Sequence, residues 1–192
     1  LRRDDPFGEI RWFEIDPCYV FHVANAYDDG NRVVVQGCRY PELWRENGGF
    51  DEHAVLWSWT IDLDAGTVSE RQLDDRAVEF PRIDDRLAGL PARFAVSVGD
   101  ARLVQYDLQT GTALEHRFGS TDAPGGPGEA VFVPAASGGE TDGWYLAFAY
   151  DPARQGSDLV IIDAADFAGD PVARIRLPRR VPYGFHGNWI SA

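Results

Sequence analysis

Residues 104–118, VQYDLQTGTALEHRF, carry the pattern that decides the fold. An apolar run ends at Asp107, a short polar turn containing Gly111 follows, and a second run then alternates apolar and polar residues. Asp favours turn backbone and Gly supplies the left-handed conformation of a tight turn, so the stretch predicts a β-hairpin. Residues 59–73 (WTIDLDAGTVSERQL) and 160–177 (VIIDAADFAGDPVARIRL) repeat the arrangement.

The three hairpins recur at a loose period, because Asp107 follows Asp62 by 45 residues and Asp163 follows Asp107 by 56. A repeat of this length with about four strands is typical of the blades of a β-propeller. A β-sandwich, which also strings hairpins together, is the alternative. Propellers have about 4 to 8 blades and this chain supplies about three to four. We therefore predict a piece of a longer protein.

Short β-rich runs occur throughout the chain, and helical periodicity is hard to find. The clearest runs are RVVVQG (32–37), VLWSWTIDL (55–63), RLVQYDL (102–108), WYLAFAY (144–150) and DLVIID (158–163). The predicted fold class is all-β.

Composition excludes several classes of function. The 31 acidic and 18 basic residues give a net charge of -13, which repels phosphate backbones, so we predict no nucleic-acid partner. The two cysteines, Cys18 and Cys38, are too few for a disulfide framework, and no apolar run reaches the length of a membrane span. A reducing, cytoplasmic location is the default expectation.

Four histidines are candidates for chemistry. His53 and His116 each stand beside an acidic residue in a turn or hairpin, so we predict solvated, structural roles for both. His22 and His186 have apolar and aromatic neighbours in FHVA and GFHG. Either one, taken singly, is more often a hydrogen-bonded core histidine than a metal ligand.

Two glutamates strengthen the case for a site. Glu79 in AVEFP and Glu129 in GPGEAVFVP each begin a short apolar stretch, where an unpaired charge is costly to bury. An imidazole N–H is a natural partner, since carboxylates commonly orient metal-binding histidines. The alternative is that both lie at the rim of the fold as strand-start residues.

Six segments that together span nearly the whole chain carry a further signal. They are RWFEIDPCYVFHVANAYDDG (11–30), VEFPRIDDRLAG (78–89), GEAVFVP (128–134), DGWYLAFAYD (142–151), LVIIDA (159–164) and VPYGFHGNWI (181–190). In sequence and in order they resemble the C-terminal part of the carotenoid cleavage oxygenase family, which includes carotenoid, apocarotenoid and stilbene-cleaving dioxygenases and the retinal pigment epithelial isomerase.

The resemblance implies a seven-bladed propeller that holds one Fe(II) by four histidines, with three glutamates hydrogen-bonded around them. His22 then matches the third ligand and His186 the fourth, while Glu79 and Glu129 match two of the glutamates. The other two histidines and the third glutamate have no counterpart here, which implies that they precede Leu1. Residues 1–192 would thus be the C-terminal portion of one catalytic propeller domain, inactive alone.

The resemblance further implies oxidative cleavage of a conjugated C=C bond of a carotenoid, apocarotenoid or stilbene by dioxygen. Phe21, Phe185 and Trp189 are candidate walls of the apolar substrate cavity, with core packing as the alternative for each. The expected partners are dioxygen, the apolar substrate and either the preceding portion or a second copy of the chain. Membrane association would serve substrate uptake. Isomerohydrolase chemistry and a non-catalytic, protein-binding propeller piece remain alternatives.

Overall fold

A computed structural model describes residues 4–5, 7–44, 52–120, 122, 124–136 and 138–191. Within these residues the regular structure is strand, apart from a single 3-10 turn at Asp85–Leu87, which confirms the all-β prediction. No helix in the described part is long and apolar enough to cross a membrane.

The strands of the described residues form sheets of successive antiparallel neighbours. The first sheet contains β1 (Tyr19–Asp29), β2 (Arg32–Tyr40), β3 (Val55–Asp62) and β4 (Thr67–Gln72). The second contains β5 (Val78–Arg82), β6 (Phe94–Gly99), β7 (Arg102–Asp107) and β8 (Thr112–Arg117). The third contains β9 (Gly126–Pro127), β10 (Val131–Pro134), β11 (Gly143–Asp151), β12 (Gly156–Asp163) and β13 (Ala173–Arg176), with β9 paired to β11.

The predicted hairpins occupy the same place in each sheet, between its third and fourth main strands. The Oδ1 atom of Asp62 accepts hydrogen bonds from the backbone N–H groups of Asp64 and Ala65, at 3.1 and 2.9 Å. Gly66 then takes a φ of 69°, the left-handed conformation that the turn requires. Asp107 and Gly111 repeat this geometry.

The third hairpin is wider than the other two. Asp163 still accepts a hydrogen bond from the backbone N–H of Ala165, at 2.8 Å, but β13 begins only at Ala173. The extra residues bring Phe167 into the core, where it is fully buried. The Asp-turn pattern therefore predicted where the hairpin starts and not how long its connection is.

The core lies between neighbouring sheets, as expected for propeller blades that pack face to face. Strand β7 shows this, because successive side chains of a strand point to opposite faces. Leu103 packs in a cluster with Val160 and Ile162 of the third sheet, whereas Val104 packs in a second cluster with Leu56 of the first. The second sheet is thus covered on both faces.

The prediction of a solvated His116 is wrong. Its side chain on β8 is buried, and Nδ1 lies 3.1 Å from the carbonyl oxygen of Phe167 in the wide hairpin. The rings of Phe118 and Phe167 also contact it. Burial lowers the pKa of His116, because the charged form would be desolvated. His53 is exposed, as predicted.

The buried His116 should make the protein sensitive to mild acid. Its pKa is lower in the folded than in the unfolded chain, so the unfolded state binds the proton more tightly. We expect this contribution to the free energy of unfolding to be fully present above the unfolded pKa of about 6.5. As the pH falls below that value, the free energy of unfolding should decrease by at most about 1.4 kcal/mol per pH unit. Urea unfolding from pH 8 to 5 measures this. A slope that His116→Asn leaves unchanged would contradict it.

Candidate metal centre

His22 and His186 come together although they lie near opposite ends of the described chain. His22 is on β1, whereas His186 belongs to residues 181–191, which have no regular secondary structure and are here called the C-terminal strap. The ring centroids are 4.9 Å apart and the ring planes are inclined by 73°. The strap thus reaches the site through His186, whose ring contacts those of His22 and Phe80.

Each of these histidines is paired with one of the two predicted glutamates. Nδ1 of His22 lies 2.6 Å from Oε2 of Glu79, and Nδ1 of His186 lies 2.9 Å from Oε2 of Glu129. A carboxylate on Nδ1 favours a proton there and leaves Nε2 with its lone pair. The two contacts orient both rings and favour the tautomer whose Nε2 could bind a metal.

A distortion of β5 positions Glu79. The pairing of β5 with β6 is irregular between Glu79 and Arg82, and Phe80 has a φ of 52°. A left-handed backbone at a bulky residue costs about 1–3 kcal/mol and is found mainly where function demands it. Here it lets the backbone N–H of Phe80 donate to Oε2 of Glu79 at 2.6 Å while the Phe80 ring packs on His22, with centroids 4.8 Å apart.

The carboxylates of Glu79 and Glu129 differ in the number of hydrogen bonds that they accept. Oε1 of Glu79 is buried and has no hydrogen-bond partner within the described residues. Oε1 of Glu129 accepts from Nη1 of Arg82 at 2.6 Å and from the backbone N–H of Gly187 at 3.1 Å. Both carboxylate oxygens of Glu129 therefore have hydrogen-bond partners, and its side chain is only 3% exposed.

Gly37 is a further positioning residue, one that sequence reasoning missed. It lies on β2 opposite the irregular part of β1, where a Cβ atom would stand 2.8 Å from the carbonyl oxygen of His22. Only glycine lets the two backbones approach this closely, so Gly37 permits the local course of β1 that carries His22. Its place in the strand RVVVQG, where glycine is unfavourable, was the available signal.

A largely apolar cavity of about 320 Å³ adjoins His186. Phe185 and Phe80 are part of its wall, together with Phe148 and Tyr183. Phe21 is not part of this wall; it packs with Tyr19, Tyr40 and Trp44. Trp189 is also outside the wall and is half exposed.

At this site, the metal-binding groups that the described residues provide are two imidazoles. Among its His, Cys, Asp and Glu side chains, no group of three or more has an arrangement that could hold a metal ion. Cys38 is fully buried, and its burial and the nearby charge of Glu79 raise the pKa of its thiol. The candidate site therefore consists of His22 and His186 with their carboxylates.

Antiparallel sheets of four and five strands that pack face to face, with one carboxylate-oriented histidine on a strand and a second on the C-terminal strap, define a β-propeller with a histidine site. Comparison with known proteins identifies the family. A family model described as retinal pigment epithelial membrane protein matches residues 1–191. The chain therefore belongs to that family, in which the curated relatives are carotenoid cleavage oxygenases.

Individual relatives agree with this assignment. A carotenoid cleavage oxygenase of Mycobacterium tuberculosis is 37% identical over 98% of this chain, and the apocarotenoid-15,15'-oxygenase of Synechocystis is 33% identical over 96%. The crystal structure of cobalt-substituted Synechocystis apocarotenoid oxygenase matches 97% of this chain with a TM-score of 0.88 and 30% identity. The chain spans 41% of the length of both curated relatives and 42% of that structure.

Proposed function

We propose that this chain contributes two ligands, His22 and His186, to an Fe(II) centre of a non-haem dioxygenase. The observation that carries the proposal is the pair of imidazoles with ring centroids 4.9 Å apart, each with Nδ1 on a carboxylate and with no hydrogen bond to Nε2 from the described residues. Neutral imidazole is a suitable ligand for iron. The cobalt-substituted relative supports a divalent metal in this fold.

The residues present fit such an ion in charge as well as in ligand type. Two neutral imidazoles leave a divalent cation uncompensated, and the carboxylates of Glu79 and Glu129 stand directly behind them. The remaining ligands would come from outside the described residues. We propose that they belong to a preceding part of the protein or to a second copy of this chain.

The proposed reaction is the cleavage of one conjugated C=C bond by dioxygen, so that each carbon takes one oxygen atom and two carbonyl products form. Bound Fe(II) would supply the activation of dioxygen. The chain's own residues hold the Nδ1 protons of both ligands on carboxylates, and the Phe80 ring packs against both imidazoles, with centroid distances of 4.8 Å to His22 and 5.8 Å to His186.

The apolar cavity beside His186 supports a hydrocarbon substrate. Its wall is mostly aromatic and aliphatic, with Glu129, Ser157 and His186 among its polar side chains. Such a lining favours a polyene or stilbene skeleton over a polar metabolite, because the wall offers mainly apolar surface to be buried. A carotenoid, an apocarotenoid or a stilbene is the proposed substrate class.

Product analysis tests this function. The full-length, iron-loaded protein is incubated with an apocarotenoid and with a stilbene under isotopically labelled dioxygen. We expect two carbonyl products from one of them, each carrying a labelled oxygen atom. A geometric isomer without label would identify isomerohydrolase chemistry instead. Binding without conversion of either compound would favour a non-catalytic module.

A further inference from the structure

Arg82 lies where the site and the C-terminal strap meet. It ends β5, two residues after the left-handed Phe80, and its side chain is 20% exposed. Nη1 donates inward to Oε1 of Glu129 at 2.6 Å and to the carbonyl oxygen of Gly187 at 2.9 Å. Nη2 donates outward to both carboxylate oxygens of Asp85, at 3.2 and 3.1 Å.

The strap has few other means of keeping His186 in place. It forms no strand, and the His186 side chain is 57% exposed, compared with 24% for His22 on β1. Val181 donates its backbone N–H to Oγ of Ser157 at 2.9 Å at the start of the strap. Near the histidine, the hydrogen bonds to the rest of the described chain run to Glu129 and Arg82.

A comparison of Glu79 with Glu129 shows why an arginine is needed beside Glu129. Glu79 orients a histidine that lies within strand β1, and no arginine pairs with Glu79 among the described residues. Glu129 orients a histidine on irregular backbone and is itself almost fully buried. A buried carboxylate without a partner is costly, and the guanidinium offsets that cost while fixing its direction.

We propose that Arg82 is a positioning residue for the metal centre: its guanidinium holds Glu129 in the orientation that directs His186, and it seats the strap that carries this histidine. The metal-related part of this inference rests on the proposed function; the seating of the strap does not. The same nitrogen makes both inward hydrogen bonds, so the carboxylate and the strap are held in register with each other.

The test compares Arg82→Gln and Arg82→Lys with Arg86→Gln in the metal-free, full-length protein. Arg86 is a matched control, because it lies on the same segment and pairs with a buried carboxylate, Asp84, but is not hydrogen-bonded to Glu129 or the strap. Co(II) affinity is measured by absorption titration. Hydrogen exchange of residues 185–190 reports separately on the strap.

We expect Arg82→Gln to weaken Co(II) binding about 10- to 100-fold, the usual effect of losing a group that orients a ligand. The strap amides should exchange faster even without metal. Arg82→Lys should recover most of the Co(II) affinity and most of the protection of the strap amides, since one positive nitrogen can make both inward hydrogen bonds. Arg86→Gln should leave both readouts at the wild-type level.

Wild-type Co(II) affinity and strap exchange in Arg82→Gln would overturn the proposal, as would equal effects of Arg86→Gln. If the wild-type protein binds no Co(II), or His186→Ala binds it as well as wild type, the proposed function fails instead. Strap exchange in the metal-free protein then still decides whether Arg82 seats the strap.

Discussion

Replacing His22 or His186 by alanine in the full-length protein is expected to remove bound iron and activity together. Each substitution deletes a nitrogen donor itself, so the loss of metal affinity should exceed the about 10- to 100-fold effect of removing a group that only orients a ligand. Iron analysis of the purified variants, with turnover measured on the same samples, checks this. His53→Ala is the control, because it also removes an imidazole but from an exposed residue for which a structural role is predicted.

The two variants should differ in stability, which separates loss of metal from loss of fold. In His186→Ala, Glu129 keeps Arg82 and the backbone N–H of Gly187, so the metal-free protein should unfold at the wild-type temperature. In His22→Ala, Glu79 keeps only the Phe80 N–H, and a destabilisation of about 1–3 kcal/mol is expected. Full iron occupancy in His186→Ala would refute the ligand assignment.

The second large effect is expected for Glu79→Gln and Glu129→Gln, which should each lower metal affinity about 10- to 100-fold. A neutral amide holds the imidazole N–H less firmly than a carboxylate and no longer balances the charge of the metal. Glu129→Gln should also loosen the strap, since Arg82 loses a charged acceptor that is buried. Co(II) titration and iron content measure both variants.

Glu70→Gln is the control for these substitutions. Glu70 is 16% exposed, compared with 17% for Glu79, and its Oε2 atom accepts from the indole N–H groups of Trp57 and Trp59. Its substitution removes a half-buried carboxylate of similar exposure that is hydrogen-bonded to neither histidine. Wild-type iron content and turnover in both Glu79→Gln and Glu129→Gln would assign those carboxylates to packing alone.

Local chemistry explains how much of the fold could be predicted from sequence. The Asp-turn hairpins depend on residues three or four apart, such as Asp62 with Ala65 and Gly66, and these contacts are written in a few consecutive letters. The apolar runs likewise reflect alternation within one strand. The positions of the hairpins and the all-β class followed from these signals, whereas the length of the third hairpin did not.

The pairing of His22 with Glu79, and of His186 with Glu129, joins residues 57 positions apart in each case. The residue types predicted that such partners could exist, because a buried carboxylate needs a donor, but not which side chains would meet. It was the resemblance to the family that identified these four residues. The packing of successive sheets brings Glu79 to His22, and the course of the C-terminal strap brings His186 to Glu129.

Tertiary structure alone decided the environment of His116 and the reach of Arg82. His116 is buried because the connection of the third hairpin, 51 residues later in the chain, folds over it. The local sequence ALEHRFG contains no signal of this burial. Arg82 contacts Gly187 across 105 residues. Turn and strand preferences act between near neighbours and are readable in the sequence. Burial and ion pairing act between surfaces that meet only after the sheets have packed, so they are settled by the fold.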